Sequence, residues 1–336
     1  MANAFSSILN IWYPKKDECK WVLATIFETQ GSSYRKSGAH MLINDVGQYY
    51  GLLSGGCLES DIMLQARRCW DNDQGRIVEY DMTEEQDLAW QLGIGCGGLV
   101  RILLQPISED NRYLQLHKVY HRLSDNGFCL YSQEISSGLP NVEYTELPRT
   151  AQASVEKVEK NGRLLLQQIL RPPINLCIVG AGVDARPVVD IAAKLGWRVR
   201  LIDPRASHGR SHYFPSAFAI IKQPMATLIE NANEASWLAQ TDAIIIMSHN
   251  ISIDAQALIL SSKSSAKYVG MLGPIHRTER VFEQAGLKRE DFELPFANPI
   301  GLRLGGELPE SIALSMISEV HSFMAQQDAK SISGIV

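Results

Sequence analysis

The sequence predicts an α/β protein with an N-terminal mixed α/β domain over residues 1–171 and a second domain over residues 172–336. In the second half, apolar runs of strand length alternate with helical spacing, a pattern typical of a doubly wound parallel sheet. Pro172-Pro173 interrupts the pattern at the boundary, and a glycine-rich turn, 180–185, follows the first apolar run beyond it. Together these observations predict that the C-terminal domain is Rossmann-like.

The first half contains short β-rich runs that are separated by turn residues. Asn161-Gly162 stands between the last two runs and is typical of a two-residue hairpin turn. Apolar residues at helical spacing predict a helix from near Leu58 to Cys69 and beyond, and two further helices. The predicted strands are 21–28, 40–44, 48–53, 76–82, 99–107, 128–135, 155–160 and 163–169, and the further helices are 84–92 and 111–124.

The second half begins with residues 174–179, a continuous apolar run as expected of a parallel strand covered on both faces. A helix follows to about Leu195, and the next strand, 197–202, ends at Asp203. We expect the last helix, which begins at Pro309, to pack back on this domain. The remaining predicted strands are 217–221, 243–248 and 268–272.

The charge balance argues against several classes of partner. Lysine and arginine total 32 against 37 aspartates and glutamates, so the net charge is -5. A weakly acidic chain has no general attraction for nucleic acid or anionic lipid. No apolar run approaches the roughly 20 residues of a membrane span, and the N-terminus lacks the pattern of a signal peptide. We therefore expect a cytoplasmic protein that binds neither nucleic acid nor a membrane.

The six cysteines form no C-x-x-C pair, which argues against a zinc ribbon or a thioredoxin motif. Cys69, Cys129 and Cys177 lie in apolar patterns, and we expect them in the core. Cys57 and Cys96 differ because glycines surround both of them.

The turn after residue 179 has the spacing of a dinucleotide-binding loop. Gly180, Gly182 and Ala185 fit G-x-G-x-x-A between a buried strand and a helix. Asp203 ends the next strand, where a carboxylate can accept a hydrogen bond from a ribose hydroxyl, although Arg205 weakens the preference for NAD. The alternative is a Rossmann-like scaffold that binds no nucleotide or another phosphorylated ligand.

A second candidate site is the turn 54–61, where a strand leads into a helix. Cys57 precedes the helix, whose free N–H groups would stabilise a thiolate. Gly55-Gly56 would let a ligand approach the backbone, and Glu59 would accept hydrogen bonds from a pterin. The alternative is a tight structural turn in which Glu59 is only a charge in the first helical turn.

The third candidate is the segment 93–98, in which four glycines surround Cys96. Such a loop is costly in conformational entropy, so its backbone either wraps a ligand or adopts positive φ. A purely structural turn is the alternative interpretation.

At these residues the chain resembles the XdhC/CoxI family, whose members assist the maturation of xanthine dehydrogenase-type and CO dehydrogenase-type molybdenum enzymes. The resemblance covers almost the whole chain, and the S-G-G-C-x-E and G-C-G-G motifs are its most specific parts. Val183 stands where relatives usually carry a histidine. The segments that carry the resemblance are 29–41, 54–59, 95–98, 203–205, 248–250 with Asp254, 268–273, 299–302, Gly305, 309–310 and 312–313.

The resemblance implies that the chain binds molybdenum cofactor, either plain molybdopterin or a dinucleotide form, and delivers it to a xanthine dehydrogenase-type enzyme. It further implies a homodimer and contact with a cysteine desulfurase. Because molybdenum is thiophilic, we expect Cys57 and Cys96 to be its ligands. The residues that we expect to bind the cofactor are Gly55, Gly56, Cys57, Glu59, Cys96, Gly97, Gly180, Gly182, Asp203, His249 and Asp254.

Three functions are compatible with these patterns. The favoured one is a cofactor chaperone without turnover of its own. The second is an NAD(P)-dependent oxidoreductase with Cys57 as its reactive thiol, although no Ser/Tyr-x-x-x-Lys set or comparable proton-transfer group accompanies it. The third is a scaffold that docks a sulfurtransferase to a molybdoenzyme.

Overall fold

Antiparallel sheets build the first part of the chain and a parallel sheet builds the second, in the computed structural model of residues 3–56, 58–81 and 98–335. The chain forms two units, Met1–Pro173 and Ile174–Val336. The predicted class, a mixed α/β first part followed by a Rossmann-like parallel sheet, is confirmed. The helix expected over 84–92 lies outside the described residues.

The first sheet of the N-terminal unit has five strands in the order β3-β2-β1-β5-β4. Its central strand β1 is buried over its first seven residues and pairs antiparallel with both neighbours. One face of the sheet packs against the helix that follows β3. The strands are β1 (Trp21–Gly31), β2 (His40–Asn44), β3 (Tyr49–Gly51), β4 (Arg76–Asp81) and β5 (Gly98–Ile107).

The second sheet has four antiparallel strands in the order β7-β6-β9-β8. The predicted hairpin is confirmed, because β8 and β9 pair and Asn161 and Gly162 between them have φ of 52° and 72°. Strand β7 was not expected from the sequence, since its residues are half-buried or exposed and lack a clear alternation. The strands are β6 (Phe128–Glu134), β7 (Val142–Leu147), β8 (Val155–Lys160) and β9 (Arg163–Leu170).

Three helices belong to the described part of this unit, namely α1 (Phe5–Trp12), α2 (Glu59–Asn72) and α3 (Leu116–Ser124). The apolar stripe predicted for α2 is buried as expected. The prediction of a single helix over 111–124 is wrong at the N-terminal end of that range. A 3-10 turn precedes α3 there, because the Asn111 side chain accepts hydrogen bonds from the Ser108 and Leu114 N–H groups and holds a tight turn.

The C-terminal unit contains a six-stranded parallel sheet in the order β12-β11-β10-β13-β14-β15. The strand order reverses between β10 and β13, and ligands of open α/β sheets bind at such a switch point. The strands are β10 (Asn175–Val179), β11 (Arg198–Ile202), β12 (Ala219–Ile221), β13 (Ala243–Ile246), β14 (Tyr268–Met271) and β15 (Phe296–Ala297).

Helices cover both faces of the parallel sheet. Alternate residues of β10 enter opposite cores, with Leu176 and Ile178 on one face and Cys177 and Val179 on the other. The first core receives α4 and α8, so the last helix packs back on this unit as predicted. The helices are α4 (Ala185–Lys194), α5 (Met225–Glu230), α6 (Ile251–Ser262), α7 (Ile275–Ala285) and α8 (Pro309–Ala325).

The three cysteines expected in the core are buried. Cys69 lies under the five-stranded sheet, Cys129 on β6 and Cys177 on β10, each at most 1% exposed. Burial raises the pKa of each of these thiols to about 12, so they remain protonated and unreactive. In the described part of the chain, no helix is long and apolar enough to cross a membrane.

Candidate functional site

The motif segments of the N-terminal unit meet at one end of its five-stranded sheet. Gly98 begins β5 and pairs with Gly31, and a Cβ atom added to Gly98 would lie 2.2 Å from the Ser32 carbonyl oxygen. A Cβ atom on Gly55 would lie 3.9 Å from Cδ2 of Tyr34. Residues 29–41, which we call the first-loop motif, therefore lie close to both Gly55 and Gly98. Cys57, Cys96 and Gly97 lie outside the described residues.

Ser54 and Glu59 brace the turn between β3 and α2. The Ser54 hydroxyl donates to Oε2 of Glu59 at 2.5 Å, and the Ser54 N–H donates to Oε1 at 3.2 Å. The same hydroxyl oxygen accepts from the N–H groups of Gly56, at 3.3 Å, and Leu58, at 3.2 Å. These two N–H groups flank position 57, so one hydroxyl organises the backbone on both sides of it.

The Glu59 carboxylate is only 3% exposed, and both of its oxygens accept hydrogen bonds from Ser54. This geometry favours the structural interpretation of Glu59 over that of a pterin ligand. In the sequence Ser54 is only the first residue of the S-G-G-C-x-E motif, and its role as a brace was not predicted. A serine before a glycine turn with a glutamate five residues later, in the first turn of the helix, is the signal that indicates such a brace.

Other polar groups near this turn are also paired. The Tyr80 hydroxyl donates to Asp61 at 2.7 Å, and burial together with this bond raises the pKa of Tyr80 above its usual range. His40, at the end of the first-loop motif, is 4% exposed and stacks on Phe5. Burial lowers the pKa of His40 to about 3, so the imidazole is a neutral core group.

In the C-terminal unit, Gly180 lies directly against the turn that follows β13. Its φ is 115°, and an added Cβ atom would lie 2.5 Å from both N and Cα of Ser248. Gly182 is less constrained, since its added Cβ atom would approach only the flexible Asp184 carboxylate within 3.4 Å. Close packing of the β10 and β13 turns therefore accounts for Gly180 without a ligand.

The Asp203 carboxylate is fully buried and fully used by the chain itself. Its Oδ2 accepts from the Ala181 N–H at 2.8 Å and from Nη2 of Arg205 at 2.7 Å. Its Oδ1 accepts from N and Nε of Arg205 at 3.0 and 2.9 Å. Burial acts to raise the pKa of Asp203, but these hydrogen bonds, those of Arg205 foremost, outweigh it and hold the pKa below its usual value.

A carboxylate offers about four acceptor positions, and those of Asp203 are all occupied. No acceptor remains for a ribose hydroxyl, so the geometry does not fit the expected role of Asp203 in binding NAD(P). Asp184 adds a further negative charge to the loop where a pyrophosphate would lie. The residues of this unit therefore do not fit a resident dinucleotide of that kind.

A second serine–carboxylate brace holds the turn after β13. The Ser248 N–H donates to Oδ1 of Asp254 at 3.2 Å, and the Ser248 hydroxyl donates to the same oxygen. Arg277 on α7 donates to Oδ2 of Asp254 at 2.5 Å. Asp254 is completely buried, so its carboxylate supports the turn from the protein interior and does not face a ligand.

His249 lies on top of this turn, and its side chain is 61% exposed. Its backbone is left-handed, with φ of 59°, and Nε2 of its ring lies 2.6 Å from Oδ2 of Asp184. Of the side chains expected to bind a ligand at this edge of the parallel sheet, His249 is exposed, whereas Asp203 and Asp254 are buried. Within 3–56, 58–81 and 98–335, no cluster of three or more histidine, cysteine or acidic side chains has the arrangement of a metal site.

These observations define a two-unit protein in which a braced Gly-Gly turn lies in a mixed α/β unit and is followed by a Rossmann unit. Residues 176–320 match the model described as XdhC Rossmann domain, and residues 15–81 match the model described as XdhC and CoxI family. The chain belongs to the XdhC and CoxI family.

Two curated relatives match most of the chain. One is described as a probable xanthine dehydrogenase subunit of Bacillus subtilis, at 28% identity over 91% of this chain and 93% of the relative. The other is the molybdenum cofactor insertion chaperone PaoD of Escherichia coli, at 23% identity over 92% and 85%. A crystal structure described as a xanthine dehydrogenase from Bacillus halodurans superimposes with a TM-score of 0.79, at 28% identity over 99% of each chain.

Proposed function

We propose that this chain is a chaperone that binds molybdenum cofactor, assists its sulfuration and inserts it into a xanthine dehydrogenase-type molybdenum hydroxylase. The observation that carries the proposal is the match of both units to one family, with the braced turn formed by the described part of the S-G-G-C-x-E motif. The PaoD relative, a cofactor insertion chaperone, supports a maturation role. The cofactor is cargo here, and no catalytic turnover is assigned to the chain.

The residues of the turn suit reversible binding of such cargo. Gly55 and Gly56 are exposed, and the brace below them keeps the backbone in place. In the sequence Cys57 comes two residues before the start of α2, where free N–H groups favour a thiolate. We propose Cys57, with Cys96 as a second contact, as the thiolate ligand of the molybdenum.

The proposal extends to partners that handle the same cargo. A cysteine desulfurase would supply the sulfur while the cofactor is held, and the client enzyme would then accept the sulfurated cofactor. We propose that the chain acts as a homodimer in the cytoplasm, and that the cargo is molybdopterin or its dinucleotide form.

The oxidoreductase alternative receives no support from the geometry, because Asp203 is saturated by Arg205 and Ala181. The scaffold alternative differs from the chaperone in one measurable respect, which is whether cofactor copurifies with the chain.

The test is anaerobic purification of the wild-type protein and of Cys57→Ala from a host that makes the cofactor. Molybdenum is measured by elemental mass spectrometry and pterin by fluorescence after oxidative release. We expect near-stoichiometric cofactor in the wild-type protein and loss of most of it in Cys57→Ala.

Cys19→Ala is the matched control, because Cys19 is a partly buried free cysteine outside the motifs. It should retain cofactor at the wild-type level. Absence of cofactor from the wild-type protein would contradict the chaperone function, and equal retention in Cys57→Ala would remove Cys57 as the anchor.

A further inference from the structure

Tyr34 is an exposed aromatic residue beside the Gly-Gly turn. Its side chain belongs to the first-loop motif, and the residue is 61% exposed. Within the parts of the chain that the structure describes, its hydroxyl has no hydrogen-bond partner and its ring stacks on no other ring. The Tyr34 ring is therefore available to a molecule that binds beside the Gly-Gly turn.

Gly55 supplies an independent observation. Its φ lies outside the left-handed region, and among the described residues an added Cβ atom would meet only Tyr34, at an ordinary contact distance of 3.9 Å. Within the described residues, neither the backbone conformation nor the packing therefore requires glycine at this position. A side chain at 55 would instead occupy the space beside the Tyr34 ring.

Gly56 differs, because its φ of 109° does require glycine. Among the described atoms, a Cβ atom added there would meet nothing within 4 Å. The Tyr34 ring, Gly55 and Gly56 form one accessible surface, which we call the Tyr34–Gly56 surface. The Ser54–Glu59 brace holds its backbone part in position.

The two residues that follow Tyr34 along the chain are cationic. Arg35 and Lys36 follow Tyr34 in the sequence, and in the described ranges neither forms an ion pair. Glu59 is turned inward to Ser54. A ligand that suits this surface has a flat ring that lies on Tyr34 and an anionic group that reaches the two cations.

We propose that the Tyr34–Gly56 surface binds a planar heteroaromatic ring with an anionic substituent, and that Tyr34 stacks on that ring. The inference rests on the proposed function, in which the ring is the pterin of the cofactor, and it adds a binding residue to that function. Cys57, the proposed molybdenum ligand, follows Gly56 directly in the sequence.

The test is a fluorescence titration with pterin-6-carboxylate, a soluble probe that has the ring and the anionic group. Stacking of an aromatic side chain on a base contributes about 1–3 kcal/mol, so Tyr34→Ala should raise Kd by about 5- to 150-fold. Tyr34→Phe keeps the ring and should stay within about twofold of the wild-type Kd, since stacking requires only the ring face.

Two further variants separate binding from folding. Tyr49→Ala removes another exposed tyrosine, 45% exposed on β3, and should leave Kd unchanged. Gly55→Ala should weaken binding severalfold while Tm stays at or slightly above the wild-type value, because alanine fits the backbone there.

The outcomes distinguish this inference from the proposed function. Equal Kd values for the wild type and Tyr34→Ala, or no binding of the probe by the wild type, would overturn the inference whatever cofactor the purified protein retains. Probe binding that depends on Tyr34 supports the inference even if the purified wild type carries no molybdenum, a result that would contradict the proposed function alone.

Discussion

Ser54 and Ser248 use their hydroxyl groups in the same way at turns in different units. Each donates to a buried carboxylate in the first turn of the following helix and accepts a backbone N–H from its own turn. A buried carboxylate is stable only when it is hydrogen-bonded, and the turn supplies those bonds. Glu59 and Asp254 are therefore positioning residues in this geometry.

Replacement of Glu59 by glutamine tests this interpretation, because it exchanges one carboxylate oxygen for an amide nitrogen. The amide nitrogen of Glu59→Gln cannot accept the Ser54 hydroxyl proton, and a buried unsatisfied group costs about 1–3 kcal/mol. The amide protons of Gly56 and Leu58 should then exchange with solvent about 5- to 150-fold faster, as measured by hydrogen exchange.

Asp61→Asn is the matched control, because it removes a charge from the same helical turn while Asp61 contacts Tyr80 and not the glycine turn. Exchange at Gly56 and Leu58 should be unchanged in it. If Glu59→Gln left their exchange at the wild-type rate, the brace would not control this turn.

The elements of the parallel sheet are held together most closely where β10 and β13 end. The backbone of Gly180 fills the space in which any side chain would meet N and Cα of Ser248. The Ala181 N–H beyond it donates to the carboxylate of Asp203, which directly follows β11. Three strand ends are thus joined at the switch point by close backbone packing and by this carboxylate, and the packing accounts for Gly180 without a nucleotide.

Gly180→Ala should therefore destabilise the C-terminal unit strongly. A non-glycine residue at this φ costs about 1–3 kcal/mol, and overpacking against Ser248 adds a cost of about the same size. Urea unfolding should show a lower midpoint with an unchanged slope. Gly182→Ala, whose Cβ atom meets only a movable carboxylate, should change stability by less than about 1 kcal/mol; equal effects of the two substitutions would refute this account.

At the scale of the whole molecule, the C-terminal unit has a Rossmann fold, but its Asp203 carboxylate is already hydrogen-bonded and cannot bind a ribose. Fold alone does not determine function, and the side chains at the switch point here bind one another. The pairs Asp203–Arg205 and Asp184–His249 occupy the edge of the sheet where a dinucleotide would lie. The geometry of the C-terminal unit therefore does not support a role as a redox domain.

We predict that the intact protein does not bind NADH or NADPH. Titration with either nucleotide, followed by nicotinamide fluorescence, should show no saturable change up to millimolar concentration, with a known dehydrogenase as the positive control. Saturable binding with a micromolar Kd would require Asp203 to release Arg205. Such a result would support the oxidoreductase alternative.

Local chemistry was enough to predict much of the fold from the sequence. The Asn161-Gly162 hairpin follows from the positive φ that both residues tolerate, and the parallel strands follow from continuous apolar runs. Helix α1 was not predicted, because its N-cap Ala4 provides no cap bond and its stability comes from burial of Ile8, Leu9 and Trp12 against distant residues. Such contacts are not visible in local patterns.

By itself, the sequence determined the class of the fold, the core cysteines and the family, since each depends on local spacing or on motifs read along the chain. Tertiary structure alone decided which acidic residues face a ligand and which brace a turn. Glu59, Asp203 and Asp254 look like ligand groups in the sequence, yet each is buried and bound by the chain. The physical reason is that a carboxylate's hydrogen-bond partners are set by the packing of segments far apart in sequence.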